Sequence, residues 1–166
     1  YETVRSLDRL KAWVARAREV GVVAVDTETT NLDPMRAYFC GFSLAVGDNE
    51  ACYVPIGHRD GGTKGGGDLF APDPQLCPGQ IPEQAALAAI KPLLEDPGVL
   101  KIGQNMKYDW LIFALRGIDV RPCDDTMLMS YVLDAGRGEH GMDALSEAVL
   151  GHTPITFEQV AGSGKS

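Results

Sequence analysis

The stretch VVAVDTETTNLDP, residues 22–34, decides how the chain is read. Val22, Val23, Ala24 and Val25 form a short, continuously apolar, β-branched run, which predicts a strand covered on both faces. Two carboxylates follow one residue apart, Asp26 and Glu28. Side chains at i and i+2 of a strand project from the same face, so an extended chain as far as Glu28 leans both acids into one small volume. Nearby carboxylates repel, and burial raises the cost of keeping either charged. A shared proton, an Arg or Lys partner, or a metal cation would offset that cost. No basic residue follows closely before Arg36, which favours the metal. The plain alternative is that Asp26 ends the strand and Glu28 is solvated.

The chain as a whole narrows the choice. Its 166 residues are 45% hydrophobic and 23% charged, which suits one domain with a real core. No apolar run approaches the ~18 residues of a membrane span, and YETVRSLDRLKAW is no secretory signal. Cys40, Cys52, Cys77 and Cys123 lie far apart without a CxxC pair, so neither a zinc site nor a disulfide framework is expected. A formal charge of −8 argues against gripping duplex DNA by a broad basic surface. It leaves open a grip on phosphates through bound cations. Both chain ends read as cuts in a longer protein, and no internal repeat is present.

Periodicity gives the elements. Leu7, Leu10, Trp13, Val14 and Ala17 fall on one stripe, predicting a helix over 6–21 with Gly21 as its stop. Strand one runs from Val22 to Thr27. Residues 38–48 and 50–57 read as a hairpin about Asp48-Asn49. Residues 58–80, rich in Gly and Pro, form an irregular excursion. A helix is expected over 81–96, with Pro82 near its first turn and Pro92 perturbing its end. A buried strand follows at 99–105, then a helix at 106–117 closed by Gly117. The extended piece IDVRP leads to a helix at 125–136 that Asp125 caps, and a last helix spans 142–151. Met127, Leu128, Tyr131 and Val132 are expected in the core. The order describes an α/β fold with a mixed sheet, antiparallel first and then parallel.

GQNMKYDW, 103–110, is the second informative stretch. Asn105 and Asp109 are four apart and share a helix face. Asp109 neighbours Ile112 and Phe113 at helical spacing, so it is a misplaced charge or a member of a polar site. Gly103 leaves room for close approach of a backbone. Asp26, Glu28 and Asp109 could converge where two buried strands end. Three converging acids suit hard cations, Mg²⁺ or Mn²⁺, and such sites often hold two ions ~3.5–4 Å apart to cleave phosphodiesters.

DTETTNLD, KIGQNMKYD, DDTMLMSYVLD, HGMDALSEAVLG and TPITFEQVAGSGK together resemble the 3′→5′ proofreading exonuclease domain of family A DNA polymerases, the bacterial DNA polymerase I type. The likeness covers nearly the whole chain, in order. DxExT alone is a weak motif; GQNMKYD followed by DTMLMSYVLD and ITFEQVAG is far more specific. The resemblance implies a ribonuclease H-like fold with a mixed five-stranded sheet flanked by helices. It implies that Asp26 and Glu28 hold the tight metal and Asp109 the second. Thr29 and Leu32 would contact the terminal nucleotide, Leu32 as a wedge against its base. Asn105 and Tyr108 would line the cleft, and Phe157 would support the penultimate base. The implied substrate is a single-stranded DNA 3′ end released as nucleoside monophosphates. The implied partner is a polymerase domain of the same parent chain, in the bacterial cytoplasm, associated with the nucleoid and not with membrane; the fragment itself is expected to be monomeric.

The family also carries a Tyr-x-x-x-Asp motif whose acid completes the metal site. Tyr131 is followed by Asp134, the wrong spacing, and no such motif follows Phe157. Residues 1–166 are therefore expected to be a single exonuclease domain cut at its C-terminal end, with an incomplete second metal site and weak or no activity. The competing readings are a non-catalytic scaffold domain of a polymerase and an exoribonuclease of the same superfamily. AGSGKS at 161–166 is not a phosphate loop, because GxxxxGK[ST] needs Gly where Gln159 stands. GGTKGGGD at 61–68 reads as a loop. His58, His140 and His152 lack ligand spacing and are expected at the surface or in hydrogen bonds.

Overall fold

The computed structural model describes residues 1–59, 75–136, 138–156, 159–160 and 162. The glycine-rich stretch at 61–68, Phe157 and most of AGSGKS lie outside the described residues. Two compact units are present, Tyr1–Asp124 and Asp125–Ser166.

In the first unit the central strand, β2 (Val22–Thr29), stays extended through both acids. Val23, Val25 and Thr27 are buried, while Val22, Ala24 and Glu28 are exposed. The strand is thus covered on one face, where the apolar run predicted two. Val22 and Ala24 tolerate either situation, so an unbroken apolar run does not reveal how many faces are covered.

Among the described residues six strands form the sheet, one more than expected. They are β1 (Glu2–Thr3), β2, β3 (Phe39–Gly47), β4 (Glu50–Pro55), β5 (Leu100–Gly103) and β6 (Cys123–Asp125), in the order β1-β4-β3-β2-β5-β6. β1 is two residues long and pairs in parallel with Cys52 and Tyr53, too short for any periodicity to announce. The last strand lies at 123–125, beyond IDVRP. β2, β3 and β4 form the expected antiparallel meander, with Asn49 at φ 59° in the hairpin turn, a conformation Asn tolerates. β5 joins β2 in parallel.

Three helices supply the other layer. α1 (Leu7–Val20) is capped by the Ser6 hydroxyl and closed by Gly21 at φ 78°. α2 (Glu83–Leu94) runs through Pro92 and ends two residues later, so the proline disturbs only a last turn. α3 is Met106–Ala114. Their buried residues, among them Leu10, Val14, Ile90, Leu93, Ile112 and Phe113, share one core with Val23, Val25, Phe42, Leu44 and Val54 of the sheet. Phe39, Phe42 and Phe113 pack ring against ring at 5.7–6.5 Å.

Lys101 of β5 is fully buried. Its ammonium has three protons to donate and lies 2.6 Å from the carbonyls of Val99 and Arg121, 2.8 Å from that of Asp96 and 3.4 Å from that of Leu93. One side chain thereby ties the end of α2 to β5 and to the approach to β6.

The second unit contains α4 (Thr126–Leu133), α5 (Met142–Leu145) and a π-helical turn (Ser146–Leu150). Asp125 caps α4 as expected, accepting from the N–H groups of Met127 and Leu128. The stripe expected in the core is not buried: Leu128, Tyr131 and Val132 are 56%, 57% and 83% exposed. Apolar periodicity identifies a face able to be buried, not one that is. Within this unit the Ser130 hydroxyl meets His140 Nδ1 at 2.9 Å. No described helix is long and apolar enough to cross a membrane.

Candidate active site

β2 places its acids by alternation. Thr27 turns into the core, and Asp26 and Glu28 project from the opposite face. β5 pairs with β2 only as far as Ala24, so on that side the Thr27 N–H lies beyond the last strand partner. Asp109 fills the place. Its Oδ1 accepts from the Thr27 N–H at 2.8 Å and from the Thr27 hydroxyl at 2.6 Å. An acid 3% exposed is thereby fixed at the end of a strand with no basic partner among the described residues.

Gly103 ends β5, and a Cβ there would fall 2.4 Å from the Met106 sulfur, so its missing side chain makes room for Met106 rather than for a strand or ligand. Asn105, at φ 57°, is the N-cap of α3 and lies just outside the helix rather than on its face. Tyr108, one turn on, reaches across to the loop after β2. Its hydroxyl donates to the Asn31 carbonyl and lies 2.5 Å from the Thr29 hydroxyl. The loop is closed at its base by two bonds between Thr30 and Tyr38, and Asn31 and Asp33 cap its turns through their side chains. Leu32 stands at its tip, 95% exposed.

These elements enclose a cleft of about 610 Å³ lined by Asp26, Thr27, Glu28, Thr29, Thr30, Asn31, Leu32, Gln104, Asn105, Tyr108 and Asp109. All the residues singled out from the sequence are brought to it except Phe157, which lies outside the described residues. The sequence reading missed Thr27, Thr30, Asn31 and Gln104. Thr27 carried the one available signal, a polar residue on the core face of an apolar strand.

The electrostatics follow from crowding. Burial, then the charge of Glu28, raises the Asp26 carboxyl to about 6. Burial also raises Asp109 to about 6; the Thr27 hydroxyl opposes the shift and the Asp26 charge adds to it. No described lining residue is basic. A set of carboxylate, hydroxyl and amide oxygens without a counter-charge fits a hard divalent cation. The acids share a cleft but do not converge as closely as expected: among the described residues, no three His, Cys, Asp or Glu side chains are arranged to hold one ion.

A family model described as 3′-5′ exonuclease matches residues 1–166. DNA polymerase I of Rhizobium leguminosarum is 53% identical over 175 residues, covering 100% of this chain and 17% of that protein. The chain thus spans about a sixth of that relative's length. Among solved structures, Brucella melitensis NrnC with bound Mg²⁺ superposes with a TM-score of 0.63 at 22% identity, covering 99% of this chain and 66% of that one. Escherichia coli RNase D, an exoribonuclease involved in structured RNA processing, gives 0.65 at 18% identity, covering 98% and 40%. Both likenesses are of fold: the mixed sheet and helices are those of the ribonuclease H-like exonucleases.

Proposed function

The chain belongs to the 3′-5′ exonuclease family of family A DNA polymerases, and from that premise we propose that it removes nucleotides from single-stranded DNA 3′ ends, using divalent cations held by Asp26, Glu28 and Asp109, as the proofreading module of a DNA polymerase I. The observation that carries this reading is a cleft lined by three carboxylates without a basic residue among the described lining. Bound Mg²⁺ in a protein of the same fold supports the choice of cation. When bound, such cations supply an activated water and stabilise the leaving 3′ oxygen of a phosphodiester.

The chain's own residues do the positioning. Asp26 and Glu28 present oxygens from the open face of β2, and Asp109, fixed by Thr27, presents its carboxyl from α3. Leu32 wedges against the terminal base while Thr29 touches the same nucleotide. Tyr108 bonds Thr29 at the end of β2 and Asn31 in the loop that carries Leu32. Asn105 and Gln104 offer side-chain amides along the cleft, and Phe157 supports the penultimate base. None of these contacts depends on which base is present. Selectivity for mismatched ends follows from their readier fraying. Turnover by residues 1–166 alone is weak or absent on this reading, because the Tyr-x-x-x-Asp motif of the resembled family has no counterpart among them.

Digestion of a 3′-labelled oligonucleotide tests this, in Mg²⁺, Mn²⁺ and chelator, by the chain and by the full natural protein that carries it. Stepwise loss of monophosphates from DNA by the full protein, abolished by Asp26→Ala, is expected. Cation-independent cleavage would refute the site. Faster cleavage of an RNA oligonucleotide would turn the reading to an exoribonuclease. Inactivity of a folded full protein would leave a scaffold domain.

A further inference from the structure

Beside the acids lies a polar pair not yet given a role. After β4 the chain turns at once, with the N–H groups of Ile56 and Gly57 both donating to the Cys40 carbonyl, at 3.0 and 2.8 Å. A Cβ on Gly57 would fall 2.1 Å from the Phe39 carbonyl oxygen, so this close a turn needs glycine. The turn returns His58 to Tyr53. His58 Nε2 and Tyr53 Oη stand 2.5 Å apart, with the rings edge to face at 5.7 Å. The backbone of His58 is clamped: Gln80 accepts its N–H and donates to its carbonyl, both at 2.8 Å, and the Cys77 N–H donates to the same carbonyl at 2.9 Å.

The register shows what the pair faces. Tyr53 pairs with Ser43, and Ser43 with Asp26, so these side chains share the face of the acids. Gly41 is the strand partner of Glu28. A Cβ on Gly41 would fall 2.2 Å from Tyr53 Oη. Directly paired Cβ atoms stand ~4.5–5.5 Å apart across two strands. The phenol hydroxyl therefore occupies the place that a side chain opposite Glu28 would fill. A phenol has one proton and can also accept. In the tautomer that carries its proton on Nε2, His58 donates to Oη and leaves the phenol proton to turn towards Glu28.

We propose that Tyr53, braced by His58, is a positioning residue that orients the Glu28 carboxylate for its cation. The inference rests on the reading of Glu28 as a cation ligand. Ligating carboxylates are themselves commonly held by hydrogen bonds from outside the ligand set, and loss of such a partner costs ~10–100-fold in metal affinity or activity.

The test is calorimetric titration of Mn²⁺ into the full natural protein, with steady-state digestion of a single-stranded oligonucleotide alongside. Tyr53→Phe is expected to weaken Mn²⁺ binding ~10-fold and to lower kcat, with the KM for DNA and the Tm unchanged. His58→Leu is expected to reproduce the loss, and His58→Gln, which keeps a donor, to restore part of it. Unchanged Mn²⁺ affinity in a folded Tyr53→Phe protein overturns the inference, whatever happens to kcat. If Tyr53→Phe fails to fold, unchanged affinity in His58→Leu overturns it equally. A wild-type protein that neither binds Mn²⁺ nor degrades DNA overturns the reading of the site and this inference together; an active wild type matched by its variants overturns this inference alone.

Discussion

Thr27 separates Asp26 from Glu28 in the chain and joins the core-side acid, Asp109, to the same strand in space. The resulting crowding has a sign that can be measured. Asp26 and Asp109 both sit at about 6, above the ordinary carboxylate range. Below about pH 4 both are protonated in the folded and unfolded chains alike, and they do not perturb stability. Between about pH 4 and 6 the unfolded chain releases these protons while the folded chain keeps them, so stability falls as pH rises. Above about pH 6 the loss is complete, on the order of a few kcal/mol for the coupled pair. Scanning calorimetry in chelator is expected to show that fall in Tm, and Asp26→Asn to reduce it. Asp26→Asn is also expected to add about 1–2 kcal/mol of stability at neutral pH, read as a higher Tm, while abolishing cleavage, a trade common at active sites. Added Mg²⁺ is expected to stabilise the wild type at about pH 7.5 far more than at about pH 5, because protonated ligands bind poorly. The two acids of β2 were legible because a strand alternates. The bond from Thr27 to Asp109 was not, because it depends on β5 stopping at the level of Ala24.

The loop between β2 and β3 owes its shape to a residue outside it. Tyr108 reaches from α3 to hold Asn31, and so sets where Leu32 stands. Tyr108→Phe is expected to leave the Tm nearly unchanged, to speed amide exchange across residues 31–33, and to lower kcat/KM about tenfold through misplaced substrate. Exchange rates equal to wild type would refute the loop's dependence on α3. Caps act on a smaller scale: Ser6→Ala, which removes the acceptor for the Arg9 N–H, is expected to cost about 1 kcal/mol in denaturant unfolding. α1, the hairpin, α2 and α3 were legible because each carries its own period and its own stop. β1 and β6 were not. Strands of two and three residues are made by their neighbours, and only the finished register of β4 explains why Glu2 and Thr3 are extended.

Over the whole molecule, burial is concentrated in residues 1–124. Phe42 is fully buried against Phe39 and Phe113, whereas Val132 is 83% exposed on α4. Phe42→Ala is expected to cost about 3–5 kcal/mol and Val132→Ser less than about 0.5 kcal/mol, and equal costs would mean that α4 is buried in solution. Sequence periodicity marked Val132 as core, because it registers apolar faces without registering what covers them. Lys101 has a different consequence. Its amine lies sealed under the carbonyls of Leu93 at the end of α2, of Asp96 and Val99 between α2 and β5, and of Arg121 before β6, while Lys11 and Lys107 are exposed. An acylating reagent added to the native protein should mark Lys11 and Lys107 within minutes and spare position 101. Acylation at 101, counted by mass spectrometry over hours, then becomes a clock for the rare excursions in which the end of α2 lifts away from the sheet.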